Sequence, residues 1–492
     1  MQHKHVVVVG AGLGGLSAAI RLRAAGVRVT LLEKNERVGG KMNLIERDGF
    51  TFDTGPSLFT MPWVVRELLH SVGRKLEDEI ELVPLASTCR YRWSDGTSFD
   101  AWSDMAALIG EIERLSPPDV EGFFRFMAFA ARIYRAAAEP FLLEPFAGWR
   151  TMLQPRLIRD AWKIAPLQTV DGAVRRYFKH PHLRQLFNRY ATYNGSSPYR
   201  SPATFCIIPY VEFAQGGWYI KGGMYQLAAM LGRVAVAEGV ELRLDCAVQQ
   251  VITSGGSATG VRLADGTTIN ADYVIVNADA LYALDELIAP TRAPDHDLSC
   301  SGFVLLLGVN RDFAQLQHHN IFFSDDYPAE FRAVFDLGVP APDPTIYVAA
   351  TCRADPHLAP AGMMNLFVLV NAPATGRTNW EREKTAYRDL VVRRLEAHGL
   401  VGLSEAIITQ QILTPVDLAA MTNARRGALY GPASHGLRAA FLRPANQPKG
   451  IRGLALVGGA THPGGGIPLV LLSGKAGANW ALADMREEKR GM

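Results

Sequence analysis

Between Val6 and Glu33 the chain reads VVVVGAGLGGLSAAIRLRAAGVRVTLLE, and no other stretch narrows the possible folds so far. His5 to Val9 is apolar and β-branched, the pattern of a strand buried on both faces of a parallel sheet. Gly10-Ala11-Gly12-Leu13-Gly14-Gly15 then satisfies GxGxxG. In that motif the first glycine permits a tight turn, the second lets a pyrophosphate approach the backbone, and the third lets the helix pack on the strand. Leu16, Ala19, Ile20 and Leu22 keep a helical rhythm as far as Gly26, a helix stop, and Val27 to Leu32 read as a second strand ending in Glu33. The helix N-terminus offers unpaired N–H groups and the positive end of a dipole. Glu33 stands 18 residues after Gly15, where its carboxylate can accept from both hydroxyls of an adenosine ribose and would repel a 2′-phosphate. Strand, glycine turn, helix and acidic residue together predict a dinucleotide site.

The remaining bulk properties bound the rest. With 492 residues, 48% hydrophobic and 20% charged, two or three globular domains are expected. A formal charge of +3 does not suggest nucleic acid as a partner. Cys89, Cys206, Cys246, Cys300 and Cys352 are scattered without a CxxC pair, as expected of reduced thiols in a cytoplasmic protein with no metal site. MQHKHVVVVGAG runs directly into the glycine motif, so no signal peptide is expected. Nor is there an uninterrupted run of about 18 apolar residues that would predict a spanning helix.

The choice between FAD and NAD rests on the following residues. Glu33-Lys34-Asn35-Glu36-Arg37-Val38-Gly39-Gly40-Lys41 and the segment GFTFDTGPS at 49–57, with Asp53, Gly55 and Pro56, form ExxxxxGGK and DxGP patterns. Together these resemble the amine-oxidase-like FAD superfamily. The resemblance implies FAD, with Gly39 and Gly40 beside the flavin phosphates and ribityl chain and Asp53 holding backbone N–H groups nearby.

Residues 454–479, LALVGGATHPGGGIPLVLLSGKAGAN, read as a strand, a loop with Gly458, Gly459, Gly464, Gly465 and Gly466, and a helix starting near Ile467-Pro468. Such a loop brings N–H groups to a ligand and aims a helix dipole at an electron-rich edge. GGATHPGGGIPLVLLSGK resembles the C-terminal flavin motif of bacterial phytoene desaturases and other carotenoid desaturases. Many amine-oxidase relatives carry an Asp where Gly459 stands, so the ribityl contact is expected to pass to backbone or water. Residues 222–280 read as helix, strand, a hairpin turning at Asp265-Gly266 and a further strand. There Val248 is expected to set backbone groups against the adenine, and ADYVIVNAD at 271–279 to return to the FAD domain.

The fold class expected is α/β: a Rossmann-type FAD-binding domain (1–80, 216–298 and 446–492), an antiparallel-sheet substrate domain (81–115 and 299–445) and a helical, membrane-facing insertion (116–215). In that insertion Phe123, Phe124, Phe126, Phe129, Phe141, Phe146, Trp149 and Trp162 alternate with Arg125, Arg132, Arg135, Arg150, Arg156, Arg159 and Lys163. Rings beside cations suit a helix lying in a lipid headgroup plane; an amphipathic lid over a core is the bland alternative.

RYATYNGSSPYRSPATFCIIPYVEFAQGGWYIKGGMY at 189–225 and HHNIFFSDDYPAEF at 318–331 resemble blocks of bacterial carotenoid desaturases, notably hydroxycarotenoid 3,4-desaturases and diapocarotenoid enzymes. This resemblance covers nearly the whole chain and implies a long apolar polyene as substrate, with oxygen or quinone as electron acceptor. Burying about thirty carbons is worth on the order of 20 kcal/mol, so such a substrate must be collected from a bilayer, implying a peripheral membrane location. Desaturation needs orientation, a dry channel, a hydride acceptor supplied by the flavin and a proton acceptor. His462, inside the glycine loop, is the first choice for the last, or else bonds the loop backbone. His318 and His319 make a poor metal site because strand neighbours face opposite ways. Tyr193, Tyr199, Tyr210, Trp218 and Tyr219 are candidates for a polyene tunnel or for core. The rival activities are oxidation of a terminal methyl group, carotenoid isomerisation and prenyl escort without redox chemistry. Intact Gly10, Gly12, Gly15 and Glu33 disfavour the escort.

Overall fold

The computed structural model of the protein describes residues 3–138, 161–288, 297–374, 376–436 and 443–490. Its first layer is a parallel sheet of five strands in the order Leu454–Leu456, Tyr273–Val276, His5–Val9, Arg28–Leu32, Glu241–Arg243. Val6, Val7 and Val8 have no exposed surface, as a strand covered on both faces requires. The helix Leu13–Ala24 lies against the C-terminal helix Ile467–Arg490. Their crossing is close because both carry glycine there: a Cβ on Gly474 would lie 2.2 Å from the carbonyl oxygen of Gly14. Ser17 Oγ donates to the Leu471 carbonyl at 2.8 Å across the same contact.

A seven-stranded sheet runs in the order Ile407–Leu413, Ser301–Val309, Met364–Ala372, Ile346–Ala349, His319–Phe322, Ser87–Arg92, Ser98–Trp102. Ser301–Val309 is buried along its whole length. Alternation sends Phe303, Leu305 and Leu307 into one cluster with Trp380, Val391 and Leu395 of the helix Trp380–Ala397, and Val304 and Leu306 into another with Phe50 and Phe52. The second face thus meets the strand Phe50–Asp53, which delivers Asp53. The expected antiparallel sheet is antiparallel at every pairing but one: His319–Phe322 pairs parallel with Ser87–Arg92. Those strands come from distant segments, so no hairpin compels the antiparallel direction.

The helices Asp119–Ala137, Val170–Tyr177, Pro181–Arg189 and Ile207–Gln215 cover the Ser87–Arg92 end of this sheet. Here the lipid-facing expectation fails for two rings. Phe123 and Phe126 have no exposed surface and pack in an aromatic core with Phe178 and Phe187, for example Phe126 to Phe187 at 4.9 Å between centroids. Their three-residue spacing puts them on the helix face shared with Ala130 and Ile133, which turns inward. Phe124 is 51% exposed on the other side. Phe141, Phe146, Trp149, Arg150, Arg156, Arg159 and the Trp162 side chain lie outside the described residues. Among the described residues no helix is long and apolar enough to cross a membrane.

Cys89, Cys206 and Cys300 are buried, and burial pushes each thiol up to about 12. Cys246 and Cys352 are partly exposed. A thiol reagent at pH 8 is therefore expected to modify no more than these two in the folded protein and all five after denaturation. Rapid labelling of a third in the native state would contradict the packing.

Candidate cofactor site

The sheet's C-terminal edge gathers the motif residues. Gly10 has φ +94°, and a Cβ there would lie 2.4 Å from the Asn277 carbonyl oxygen; one on Gly15 would lie 2.0 Å from that of Gly10. The turn is therefore closed by backbone on both sides. Gly12 is the N-cap of the first helix and has no side-chain cap, so the N–H groups of its first turn are left for an anion. Asn277, which follows the strand Tyr273–Val276, braces the turn from outside by donating Nδ2 to the Gly10 carbonyl at 3.0 Å.

Glu33 is buried, as the end of the second strand. Its Oε2 accepts from Ala11 N at 2.8 Å, and Oε1 accepts from Asn35 N and Nδ2 at 3.0 and 2.7 Å. The carboxylate thus ties the glycine turn to the second strand while retaining acceptor capacity for hydroxyls. Its carbonyl accepts from Cys246 N at 2.8 Å, which brings Val248 to this end of the site. Lys34 Nζ instead donates to Asn423 Oδ1 at 2.8 Å.

Gly39 N donates to the Ala11 carbonyl at 2.9 Å, and Gly40, at φ +61°, leaves a would-be Cβ 3.4 Å from Gly12 Cα. The two glycine pairs therefore run side by side. Lys41 Nζ donates to the Leu429 carbonyl at 2.6 Å, and a Cβ on Gly55 would lie 2.4 Å from the Lys41 carbonyl oxygen. Asp53 holds a backbone group: Oδ1 accepts from Tyr225 N at 3.3 Å, while Oδ2 accepts from Tyr219 OH at 2.7 Å. Burial raises its pKa against those bonds. Lys41, Pro56 and Gly466 are exposed amid these buried segments. A backbone-lined cradle, free helix N–H groups and an inward carboxylate make a donor and acceptor set that fits a dinucleotide.

The C-terminal loop closes the same edge. Gly458 N donates to Ser473 Oγ at 3.1 Å, a Cβ on Gly459 would lie 3.5 Å from Gly465 Cα, and Gly466 has φ +107°; Ile467 and Pro468 open the final helix. His462 is buried. Its carbonyl accepts from Ser473 Oγ at 2.8 Å and Asn446 Nδ2 at 3.1 Å, and its N–H donates to the Pro444 carbonyl at 3.2 Å. Sequence reasoning missed Arg443, which is buried and forks between four acceptors. Nη1 donates to the carbonyls of Gly459 at 2.9 Å and Tyr430 at 3.1 Å; Nη2 donates to Asn194 Oδ1 at 3.2 Å and the Pro432 carbonyl at 3.3 Å. It ties the glycine loop to the helical layer. No local pattern marks it, whereas Asn277 could have been found from its place just past a parallel strand, where α/β sheets bind ligands.

Towards the seven-stranded sheet lies a buried polar cluster. Glu212 accepts from Tyr193 OH, Tyr190 OH and Thr88 Oγ1 at 2.7, 2.9 and 3.0 Å. Arg189 lies over the rings of Tyr91, Tyr190 and Tyr193, 4.9 Å from the last, and desolvated cations gain from such contacts. Tyr193 and Tyr219 are thus committed to polar networks, whereas Tyr199 packs against Phe331 and Tyr210 against Tyr134. Trp218 lies in a short strand against Pro84. His318 and His319 are buried with rings at 88°, and His319 faces the carbonyls of Thr88 and Ser57. Among the described residues no three His, Cys, Asp or Glu gather as a metal site.

His435, nearby, accepts from Ser197 N at Nε2, 3.0 Å away, which requires a neutral ring. Burial and then Arg200 push its pKa down to about 4, against Asp297 and Asp336. A folded value below the unfolded 6.5 stabilises the fold above pH 6.5, and that contribution is lost as pH falls towards 4, by at most about 1.4 kcal/mol per pH unit. His435→Gln, which does not titrate, is expected to lose urea stability less steeply than wild type over this range. Equal slopes would contradict the assignment.

The model of the family described as flavin containing amine oxidoreductase matches residues 13–482. The chain is 35% identical to a 4,4′-diapolycopene oxygenase of Methylomonas sp., over 98% of this chain and 99% of that one. It is 36% identical to a 1-hydroxycarotenoid 3,4-desaturase of Flavobacterium sp. (strain P99-3), over 97% and 98%. Its backbone is similar to that of cyclohexylamine oxidase from Brevibacterium oxydans IH-35A, with TM-score 0.60 and 16% identity over 99% of both chains, a likeness of fold. With the cradle fitted to a dinucleotide and the match spanning nearly the whole chain, the cofactor is FAD and the protein belongs to the flavin-containing amine oxidoreductase family.

Proposed function

We propose that the protein desaturates an acyclic carotenoid or apo-carotenoid precursor, drawing it from a membrane surface and passing the electrons to oxygen or a quinone. The observation that carries this reading is full-length likeness to two enzymes named for carotenoid substrates. In it, Gly10, Gly12, Leu13, Gly14 and Gly15 present N–H groups to the pyrophosphate, Glu33 takes the ribose and Val248 the adenine. Lys34, Gly39, Gly40, Lys41, Asp53, Gly55 and Pro56 shape the phosphate and ribityl side, and Gly458, Gly459, Gly466, Ile467 and Pro468 face the pyrimidine edge. Bound FAD supplies the hydride acceptor. The protein's own work is to orient the polyene, exclude water and take a proton, a role proposed for His462. Phe124 and Leu167, 51% and 89% exposed, are the described apolar residues of the insertion best placed to touch lipid.

The likeness to a diapolycopene oxygenase favours terminal methyl oxidation as the second reading. Product mass separates the two. FAD-loaded protein supplied with liposomes holding phytoene, diapophytoene or a hydroxylated neurosporene is expected to yield a product lighter by two hydrogens. Gain of oxygen selects methyl oxidation, and an isomer of unchanged mass overturns both.

A further inference from the structure

The helix Ile207–Gln215 inverts the usual order of burial. Its buried residues are Pro209 and Glu212, three apart on one face, whereas Ile207, Ile208, Val211 and Phe213 are only partly buried. Glu212 is 3% exposed, and three hydroxyls hold its carboxylate. Tyr193 OH donates to Oε2 at 2.7 Å; Tyr190 OH and Thr88 Oγ1 donate to Oε1 at 2.9 and 3.0 Å. These donors come from two helical turns and a strand, so the carboxylate is fixed in place. No cation among the described residues forms an ion pair with it.

Arg189, the buried cation of this cluster, stops short of the carboxylate. Its Nη1 donates to Tyr91 OH at 3.1 Å, and its guanidinium lies 4.9 Å from the centre of the Tyr193 ring, whose hydroxyl meets Glu212. The fold thus keeps two buried opposite charges apart, with one tyrosine touching both. Close pairing would be the less costly way to bury them. Held apart, they keep a fixed field whose negative end is Glu212. That end is linked to two cofactor segments. The Thr88 carbonyl faces His319 Nδ1 at 2.9 Å, and His319 Nε2 faces the carbonyl of Ser57 at 3.1 Å, directly after Gly55-Pro56. Tyr193 precedes Asn194, whose Oδ1 accepts from Arg443, the residue that holds the Gly459 carbonyl.

We propose that Glu212 is the fixed negative charge that stabilises the cation formed on the polyene during desaturation. The proposal rests on the carotenoid reading above and adds the group that favours its transition state. Removing a hydride from a saturated carbon beside a double bond takes both electrons of that C–H bond to the flavin and leaves an allylic cation. Loss of a proton from the adjacent carbon to the acceptor then completes the new double bond. Until that proton leaves, the positive charge has no counter-ion in an apolar channel. A carboxylate already oriented by three hydroxyls meets it without reorganisation. The uncharged substrate gains nothing from the same group, so the effect falls on the transition state and not on binding.

The test uses FAD-loaded protein and two long acyclic isoprenoids of one shape, one with a quaternary ammonium within the chain and the other with a quaternary carbon there. Equilibrium binding of both is measured in detergent micelles, and flavin bleaching by an acyclic carotenoid is timed without oxygen. The wild type is expected to bind the ammonium about tenfold or more tightly than the hydrocarbon. Glu212→Gln, which keeps the size but not the charge, is expected to retain its flavin and its binding of the hydrocarbon. It should lose the ammonium preference and bleach about a hundredfold more slowly. Glu212→Asp, which keeps the charge, is expected to recover part of both. A wild type that binds the two probes alike overturns the role without any variant. So does Glu212→Gln protein that bleaches at the wild-type rate, or that loses both probes equally. If no acyclic carotenoid bleaches the wild type, the carotenoid reading fails and the role falls with it.

Discussion

Gly15→Ala protein is expected to purify without flavin. The added methyl would stand 2.0 Å from the Gly10 carbonyl oxygen, a backbone atom that cannot swing aside. The glycine turn must open, and with it the alignment of the helix N–H groups at Gly12 and Leu13. Overpacking of this kind costs about 1–3 kcal/mol, and losing a bound cofactor removes a further stabilisation by mass action. Gly26→Ala is the control: Gly26 has φ +77° with nothing within 4 Å of a would-be Cβ. It should cost about 1 kcal/mol in backbone strain and keep the flavin. Visible absorbance of the purified proteins decides, and full flavin occupancy in Gly15→Ala would contradict the turn's role.

Arg443→Met is expected to give the largest loss of stability of any single charge removal in the site. It leaves the carbonyls of Tyr430, Pro432 and Gly459 and the side chain of Asn194 without their donor. Leaving a buried acceptor without its donor costs about 1–3 kcal/mol. Arg443→Lys should recover only part of this, because an ammonium lacks the planar fork that spans four acceptors. Thermal unfolding followed by flavin fluorescence reads both effects, and a midpoint within a degree or two of wild type would show that the fork is dispensable.

What was legible in the sequence was local. The strand His5–Val9, the helix after Gly12 and its end before Gly26, the strand closing at Glu33, the turn at Asp265-Gly266 and the helix opening at Ile467 all follow from periodicity and glycine placement over a few residues. Arg443 was not legible as a site residue, because its role comes from chain segments far away, Asn194 and Gly459. Phe123 and Phe126 show a different limit. Aromatic rings interleaved with arginines look alike whether the rings face lipid or a protein core. Only the presence of Phe178 and Phe187 across the helix face decides. Likewise, strand-like runs at Ser87–Arg92 and His319–Phe322 could be recognised separately, but their parallel pairing depends on how distant segments meet.

The most direct test of the account is anaerobic. FAD-loaded protein is mixed with liposomes holding an acyclic polyene, and the flavin absorption band is followed alongside product mass. The account predicts bleaching of the flavin matched by a product that has lost two hydrogens, with no bleaching by cyclohexylamine. Flavin that stays oxidised with every polyene but bleaches with the amine would contradict it.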